Sequence, residues 1–304
     1  LIKEDDAQLA TFWTISAIAA QSISPVREVV ALEARLSIDS KDSVDLYQVD
    51  ADRLWDAYLR YAELVGNRSE LLTGDDKSWL DLALKVMQET PIKARSLLAL
   101  IMSQTAVPEL KEQAGSAFLK TLDLTKTNDQ FLLDQLFNRS QQYADASLIP
   151  VEIRFQLVDG ALKNADIVKA TRLMSGLHSI PENTRQLDWQ LRQARVLLLG
   201  GKVEQGDKVL HELISQYSEP TKQDTDHILQ VLFDLQTIKA DEKAIVLFRK
   251  LLQLPIDPVQ RREIMFWLAD SFKSLKQFER AALLYLQSAM LPGPDAMDPW
   301  AQTA

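Results

Sequence analysis

The residue types that most often bind metals or carry catalysis are few and scattered in this sequence. The three histidines, His178, His211 and His227, share no common spacing. His211 opens the tripeptide HEL, but no second histidine follows four residues later, so the helical zinc-protease pattern is not met. The chain has no cysteine, which excludes disulfides, thiol nucleophiles and cysteine-based zinc sites. We therefore expect no metal site and place the histidines on surfaces or loops.

Motifs for phosphate binding and for serine nucleophiles are also missing. Gly200–Gly201 follows a helical pattern rather than a strand and is not followed by Lys-Ser or Lys-Thr, so it predicts a turn between helices. The pair Asp75–Asp76 precedes an amphipathic run and is typical of a helix N-terminus. The sequence thus predicts no enzyme activity and no cofactor. A self-contained hydrolase with an unrecognised site is the least favoured interpretation.

Charge and hydropathy limit the classes of partner. The 304 residues carry 34 basic and 43 acidic side chains, a net charge of −9, and the longest basic cluster is Arg261–Arg262. We therefore expect no nucleic-acid partner. The apolar run 10–20 is too short to span a membrane, and we expect a buried helix with Leu9, Phe12, Trp13 and Ala20 at helical spacing. The lack of cysteine fits the bacterial cell envelope, including the periplasm, which we favour, or the cytoplasm.

The elements that would position any site are helices. Leu, Ala, Gln, Lys, Asp and Glu dominate the composition, which predicts an all-α fold with almost no strand. In the second half of the chain, prolines recur at intervals of 31, 39, 35 and 37 residues, and each interval holds two amphipathic runs. Because proline cannot continue a helix interior, it marks the boundaries of repeated helical hairpins. These prolines are Pro150, Pro181, Pro220, Pro255 and Pro292.

The clearest hairpin spans 262–292, where two apolar stripes flank the polar break SLKQ. Ala269 and Ala281, twelve residues apart, are small enough to let two helices approach closely. The order of apolar residues resembles the tetratricopeptide repeat (TPR), with Met265 in the tryptophan slot and Ala269 in place of glycine. The residues that carry this resemblance are Leu268, Ala269, Phe272, Phe278, Ala281, Tyr285 and Pro292.

The spacing of twelve residues between the two positions where the helices of a hairpin approach each other recurs upstream in three further pairs. The second members of the four pairs are 36, 38 and 37 residues apart, slightly longer than the 34 residues of the family. Val158 and Leu232 stand where the family has glycine or alanine, so these two hairpins are expected to splay. An irregular helical bundle with accidental spacing remains the alternative. The upstream pairs are Val158 with Ala170, Ala194 with Gly206, and Leu232 with Ala244.

The resemblance implies a right-handed α–α superhelix of stacked hairpins, a TPR-like solenoid. Repeats are expected at about 151–186, 187–224, 225–261 and 262–296, with the start of another at 297–304. Residues 1–149 are expected to form an irregular, solenoid-like helical region with a long loop at 37–49. The helices predicted there lie near 5–22, 25–36, 50–65, 75–89, 91–103, 107–122 and 126–146.

The segment DPWAQTA, 298–304, continues the repeat register. Trp300 lies 35 residues after Met265 and falls in the family's tryptophan slot, and Ala304 lies 35 after Ala269. A solenoid that ends on an unpaired tryptophan would expose a large apolar surface. We therefore expect the chain to be part of a longer repeat protein.

In such a superhelix, the first helix of each hairpin lines the concave face. The slots that the resemblance assigns to this face are mainly apolar with mixed charge, which favours an amphipathic helix or an apolar peptide over the acidic tail of a chaperone. The expected function is a non-catalytic scaffold that binds a protein partner. The alternative is the helical platform of a larger enzyme or cell-wall or polysaccharide assembly. The predicted concave residues are Phe155, Asp159, Leu191, Arg195, Leu229, Phe233, Phe266, Asp270 and Lys273.

Overall fold

The computed structural model describes residues 2–39, 49–67, 69–70, 74–182, 184–291 and 299–303. Within these ranges the chain is helical and contains no strand, which confirms the all-α prediction. Pro292, Ala304 and most of the predicted loop at 37–49 lie outside the described residues. The chain divides into two compact units, Leu1–Asn164 and Ala165–Ala304.

The first unit contains eight of the helices that the structure describes. Proline occupies the first turn of α2, α5 and α6, where its missing N–H is not needed. The predicted cap at Asp75 is confirmed, because its carboxylate accepts a hydrogen bond from the backbone N–H of Ser78. These helices are α1 (Ile2–Ala20), α2 (Pro25–Leu36), α3 (Ala51–Val65), α4 (Asp76–Val86), α5 (Pro91–Gln104), α6 (Pro108–Leu119), α7 (Thr127–Asn138) and α8 (Val151–Lys163).

The helix predicted at 126–146 is wrong in its second half. Helix α7 ends at Asn138, and two short 3-10 turns, Gln141–Tyr143 and Ala146–Leu148, follow it. The side chains of Ser140 and Asp145 each accept a hydrogen bond from a backbone N–H two residues ahead. Such local bonds offer the backbone an alternative to the helix and end it.

Five aromatic rings form the centre of the first unit, and we call them the aromatic core. Each ring is at most 2% exposed, and neighbouring ring centroids lie 4.8 to 6.5 Å apart. The indole N–H of Trp55 donates to the backbone carbonyl of Leu136 at 3.0 Å, so the one polar atom of this side chain is satisfied. The aromatic core consists of Trp55, Tyr58, Phe118, Phe137 and Tyr143.

A buried ion pair links α2 to α5 beside the aromatic core. The guanidinium of Arg95 donates to both carboxylate oxygens of Glu33, at 2.9 and 2.5 Å, and to the carbonyl of Thr121 at 2.9 Å. The Tyr58 hydroxyl donates to the same carboxylate at 2.7 Å. Burial, together with the charge of Glu33, raises the pKa of Tyr58 well above its usual value.

Helix α1 is only half buried, which corrects the predicted buried helix. Ala10, Thr14 and Ala17 are buried, whereas Leu9 is 44% and Phe12 57% exposed. The segment is apolar around much of its circumference, and only the face that carries small residues packs inside the unit. Among the residues that the structure describes, no helix combines the length and apolarity needed to cross a membrane.

The second unit is built from helical hairpins of similar design. Three successive hairpins pair α10 with α11, α12 with α13, and α14 with α15, and their apolar faces form a continuous core. The helices are α9 (Ile167–Met174), α10 (Gln186–Leu199), α11 (Val203–Gln216), α12 (Lys222–Thr237), α13 (Asp241–Leu251), α14 (Pro258–Ser274), α15 (Phe278–Met290) and α16 (Pro299–Thr303).

The turn inside each of these hairpins has the same backbone geometry. Gly201, Lys239 and Lys276 adopt positive φ values of 80°, 63° and 60°. In each case the next backbone N–H reaches back five residues to a carbonyl at 2.8 Å, the Schellman pattern that ends a helix. These turns are 38 and 37 residues apart, the spacing that the sequence predicted for the contact positions. The backbone thus repeats although the turn residue changes from Gly to Lys.

Small residues sit at the closest approach of the hairpin helices. A Cβ at Gly206 would lie 3.0 Å from the carbonyl oxygen of Ala194 and 2.8 Å from a carbon of Leu198. Ala269 and Ala281 are likewise buried. The close contacts predicted for the Ala194 hairpin therefore exist in the structure. Val158 belongs to the first unit and Ala170 to the second, so the boundary between the units divides that predicted repeat.

Candidate functional site

The buried members of the predicted concave face are core residues in the described structure. Phe155 is 5%, Leu191 6% and Leu229 2% exposed. Leu191 and Leu229 belong to the continuous core of the second unit. Their side chains fill space between helices. Phe155 and the half-buried Asp159 lie in the first unit, and the other seven residues lie in the second.

The charged members of the predicted face remain accessible in the second unit. Arg195 on α10 is about half exposed and pairs with Asp234 on α12 at 3.0 Å. Asp270 on α14 is half-buried and accepts a hydrogen bond from the Tyr285 hydroxyl at 3.3 Å. Lys273, one turn further along α14, is exposed. The structure therefore leaves charged groups of both signs on the first helices of the hairpins.

Phe233 and Phe266 belong to a cluster of five half-buried aromatic rings, which we call the aromatic surface cluster. Trp267 is its centre, with centroid distances of 4.7 Å to Phe233, 5.3 Å to Phe266 and 5.8 Å to Trp300. Phe266 also lies 5.3 Å from both Tyr285 and Trp300. The cluster consists of Phe233, Phe266, Trp267, Tyr285 and Trp300, and none of these side chains is fully buried.

Four helices position this cluster. Phe233 comes from α12, Phe266 and Trp267 from α14, Tyr285 from α15 and Trp300 from α16. The side-chain amide of Gln236 ties α12 to α14, because it donates to the Trp267 carbonyl at 3.0 Å and to the Ser271 hydroxyl at 2.8 Å. The rings therefore sit on packed helices, which fixes their arrangement.

Carboxylates flank the aromatic surface cluster. Burial raises the pKa of Glu263 on α14, and the charges of Asp226 and Asp257 add to the shift. Burial also raises the pKa of Asp234, against the opposing charge of Arg195. Burial raises the pKa of Tyr285 to about 12, with further contributions from the charge of Asp270 and its hydrogen bond. The cluster thus combines half-buried aromatic rings with partly desolvated carboxyl groups.

Trp267 is the main residue of this surface that the sequence reasoning missed. The family register selects Phe266 and Asp270 on α14 but assigns Trp267 no contact. The available signal was the dipeptide Phe266–Trp267, because two adjacent large rings on a helix point about 100° apart and cannot both enter one narrow core stripe. Tyr285 is among the residues that carry the family resemblance, which does not predict its partial exposure.

The three histidines lie apart from one another in the sequence, and two of them are close to a single aspartate each. His211 lies 3.5 Å from Asp207 one turn away on the same helix, and His227 lies 3.8 Å from Asp188. His178 is exposed. Within the described ranges, no group of three or more His, Cys, Asp or Glu side chains is arranged to hold a metal ion.

Comparisons with protein-family models, with curated proteins and with solved structures find no match to this chain. The resemblance to the TPR family therefore rests on the residues and spacings of this sequence.

Proposed function

We propose that the second unit is a non-catalytic protein-binding module, a TPR-like superhelix that binds a peptide or helix of a partner along the first helices of its hairpins. The observation that carries the proposal is the aromatic surface cluster. Five large rings held half-exposed on four packed helices form an apolar surface of the kind that marks binding sites. Aromatic side chains of this type dominate the energetics of protein interfaces.

The chemistry of the surface favours a partner segment with both apolar and basic residues. The faces of Trp267 and Phe266 attract aliphatic and cationic side chains. Asp270 and Glu263 lie on the same helix and supply negative charge for a lysine or arginine. The net charge of −9 acts in the same direction by favouring encounter with basic segments. A short amphipathic helix with a basic residue beside its apolar stripe satisfies both features.

A displayed-peptide selection tests this proposal on the full chain. Peptides that are enriched against the chain are expected to carry aliphatic and basic residues, and Trp267→Ala should weaken their binding by tenfold or more. The matched control is Phe278→Ala, since Phe278 is 64% exposed but lies outside the cluster. Enriched peptides that bind Trp267→Ala and the unaltered chain equally would refute the proposed surface.

Charge reversal tests the predicted concave face separately. Reversing the charge of Asp159, Arg195 or Asp270 should change capture of the selected peptides while helicity stays the same, and the two aspartate variants should lose affinity for basic peptides. Arg195→Glu breaks the ion pair with Asp234 and adds negative charge, so it should weaken only those peptides that place a carboxylate against Arg195. Unchanged capture in all three variants would exclude these residues from the binding face.

The second candidate, a helical platform within a larger enzyme or envelope assembly, is favoured by one further observation. Helix α15 exposes an apolar face on which Leu283 is 56%, Leu286 55% and Met290 72% exposed. A packed neighbour would cover such a face. Leu283→Glu with Leu286→Glu should then abolish assembly in the native host without altering peptide binding to the aromatic surface cluster. Unchanged assembly would remove this candidate.

A further inference from the structure

An apolar cleft opens between α1 and α2 in the first unit, separate from the surface proposed above. Its volume is about 430 Å³ and it is open on one side. This volume lies within the range of small-molecule sites, about 300 to 1,000 Å³. Trp13 and Ala19 line it from α1, Val30 lines it from α2, and Ile23 lines it from the turn between them. The cleft has the size and the walls of a ligand site.

The cleft remains strongly apolar at its rim. The lining residue Ile23 is 76% exposed. Phe12, whose ring centroid lies 5.0 Å from that of the lining Trp13, is 57% exposed, so the apolar surface continues beyond the lining residues. Ile15 on the same helix is 58% exposed.

Ser16 and Arg27 are the polar side chains of the lining. The Ser16 hydroxyl donates a hydrogen bond to the backbone carbonyl of Phe12 at 2.8 Å, so its proton is not available to a ligand. Arg27 is therefore the lining residue that selects the charge of a polar group on a ligand.

Arg27 is exposed and forms no hydrogen bond or ion pair with any residue that the structure describes. Three other arginines of the first unit each have a partner. Arg35 donates to Thr14, Arg53 donates to Gln21, and Arg60 pairs with Glu28. A guanidinium with no acceptor beside an apolar cleft is complementary to an anion that carries an alkyl chain.

We propose that this cleft binds a single-chain anionic amphiphile, with the alkyl chain against Trp13, Ile23 and Val30 and the anionic headgroup on Arg27. The apolar wall supplies affinity by removing the chain from water, and the arginine supplies selectivity for negative headgroups. The site lies wholly in the first unit, so its test is independent of peptide binding in the second.

The experiment is a calorimetric titration of the full chain with three ten-carbon probes below their micelle concentrations: decanoate, decanol and decyltrimethylammonium. Decanoate is expected to bind saturably with one molecule per chain, decanol more weakly and the cation weakest. Arg27→Gln should weaken decanoate about tenfold and leave decanol nearly unchanged, because it removes the charge and keeps the apolar wall. The matched control Lys120→Gln removes an exposed charge outside the lining and should change neither affinity.

A filling variant tests the apolar wall. Ala19→Trp places an indole in the cleft and should abolish binding of decanoate and decanol alike. The same change at exposed Ala282 on α15 is the control and should bind both probes normally. If Ala19→Trp loses helicity, the Arg27→Gln comparison still decides the proposal.

Several results would overturn it. Decanoate that fails to saturate would refute a defined site, and equal losses for decanoate and decanol in Arg27→Gln would refute the role of the arginine. Binding of anionic lipid vesicles without binding of free decanoate would assign the cleft to a membrane surface. A dimer in light scattering that is lost in Ile15→Ser would assign it to a second copy of the chain.

Discussion

The two units each carry a cluster of five aromatic rings, and they use it in opposite ways. In the first unit the aromatic core is at most 2% exposed, and its tryptophan N–H is satisfied by a backbone carbonyl. In the second unit the rings of the aromatic surface cluster are all half-buried. The same residue types are thus enclosed in one unit and partly accessible to solvent in the other.

The difference arises from how the rings are surrounded. The aromatic core takes its rings from α3, α6, α7 and a 3-10 turn, which enclose them from several directions. The rings of the surface cluster come from first helices of successive hairpins and from the elements that follow them, and no described element covers their outer side. Burial therefore distinguishes the two clusters where composition does not.

The largest expected effect is on the aromatic core. Trp55→Ala should lower the free energy of unfolding of the first unit by about 3–5 kcal/mol, since it leaves a cavity and an unpaired carbonyl at Leu136. Trp267→Ala should cost the second unit about 1 kcal/mol, because its ring is already partly in water. Urea denaturation with hydrogen exchange assigned to each unit measures both. Equal losses would remove the distinction between the clusters.

The buried ion pair gives a second, slightly smaller effect that has no counterpart in the surface cluster. Arg95→Met should destabilise the first unit by about 3 kcal/mol, because it leaves the Glu33 carboxylate buried and uncompensated. The double variant Glu33→Leu with Arg95→Met should recover much of the loss, since both charges are then gone. Chemical denaturation of the three proteins decides this, and a double variant worse than the single one would contradict it.

The hairpin turns of the second unit give a smaller effect of opposite sign. Lys239→Gly and Lys276→Gly should each raise the free energy of unfolding by up to about 1 kcal/mol, because a side chain disfavours positive φ. Gly201→Ala should lower it by a similar amount. Lys202→Gly, beside the same kind of turn but without positive φ, serves as the control and should not stabilise. Thermal melting of these variants checks whether the three turns are equivalent.

The smallest effect is the pH dependence of the second unit near Glu263. The folded-state pKa of this carboxyl is raised from its usual 4.5, so the folded state disfavours the charged form. Protonation of Glu263 therefore contributes to the stability of the folded state below pH 4.5. This contribution is lost as the pH rises through the pKa that the group has in the folded state. Glu263→Gln should remove this loss, so it should melt higher than the unaltered chain at pH 7 but not at pH 4. An unchanged pH profile would contradict the shift.

Local sequence signals predicted much of the helical framework. Pro25 and Pro91 mark helix starts because their rings fit the first turn, and Asp75 caps α4 through a bond within three residues. The spacing of small residues predicted the approach of Ala194 and Gly206. These features depend on interactions between residues that are near in sequence or repeat at a fixed interval, so they can be read without a structure.

What the sequence by itself determined is therefore the all-α class, the helix starts and the interval of the hairpins. Only the tertiary structure decided which apolar residues are covered. Leu191 and Leu229 fill the core while Trp267 remains half-exposed, and Phe12 and Ile15 are more than half exposed although their segment predicts a buried helix. The physical reason is that exposure depends on what packs against a residue from distant parts of the chain, and helical periodicity does not contain that information.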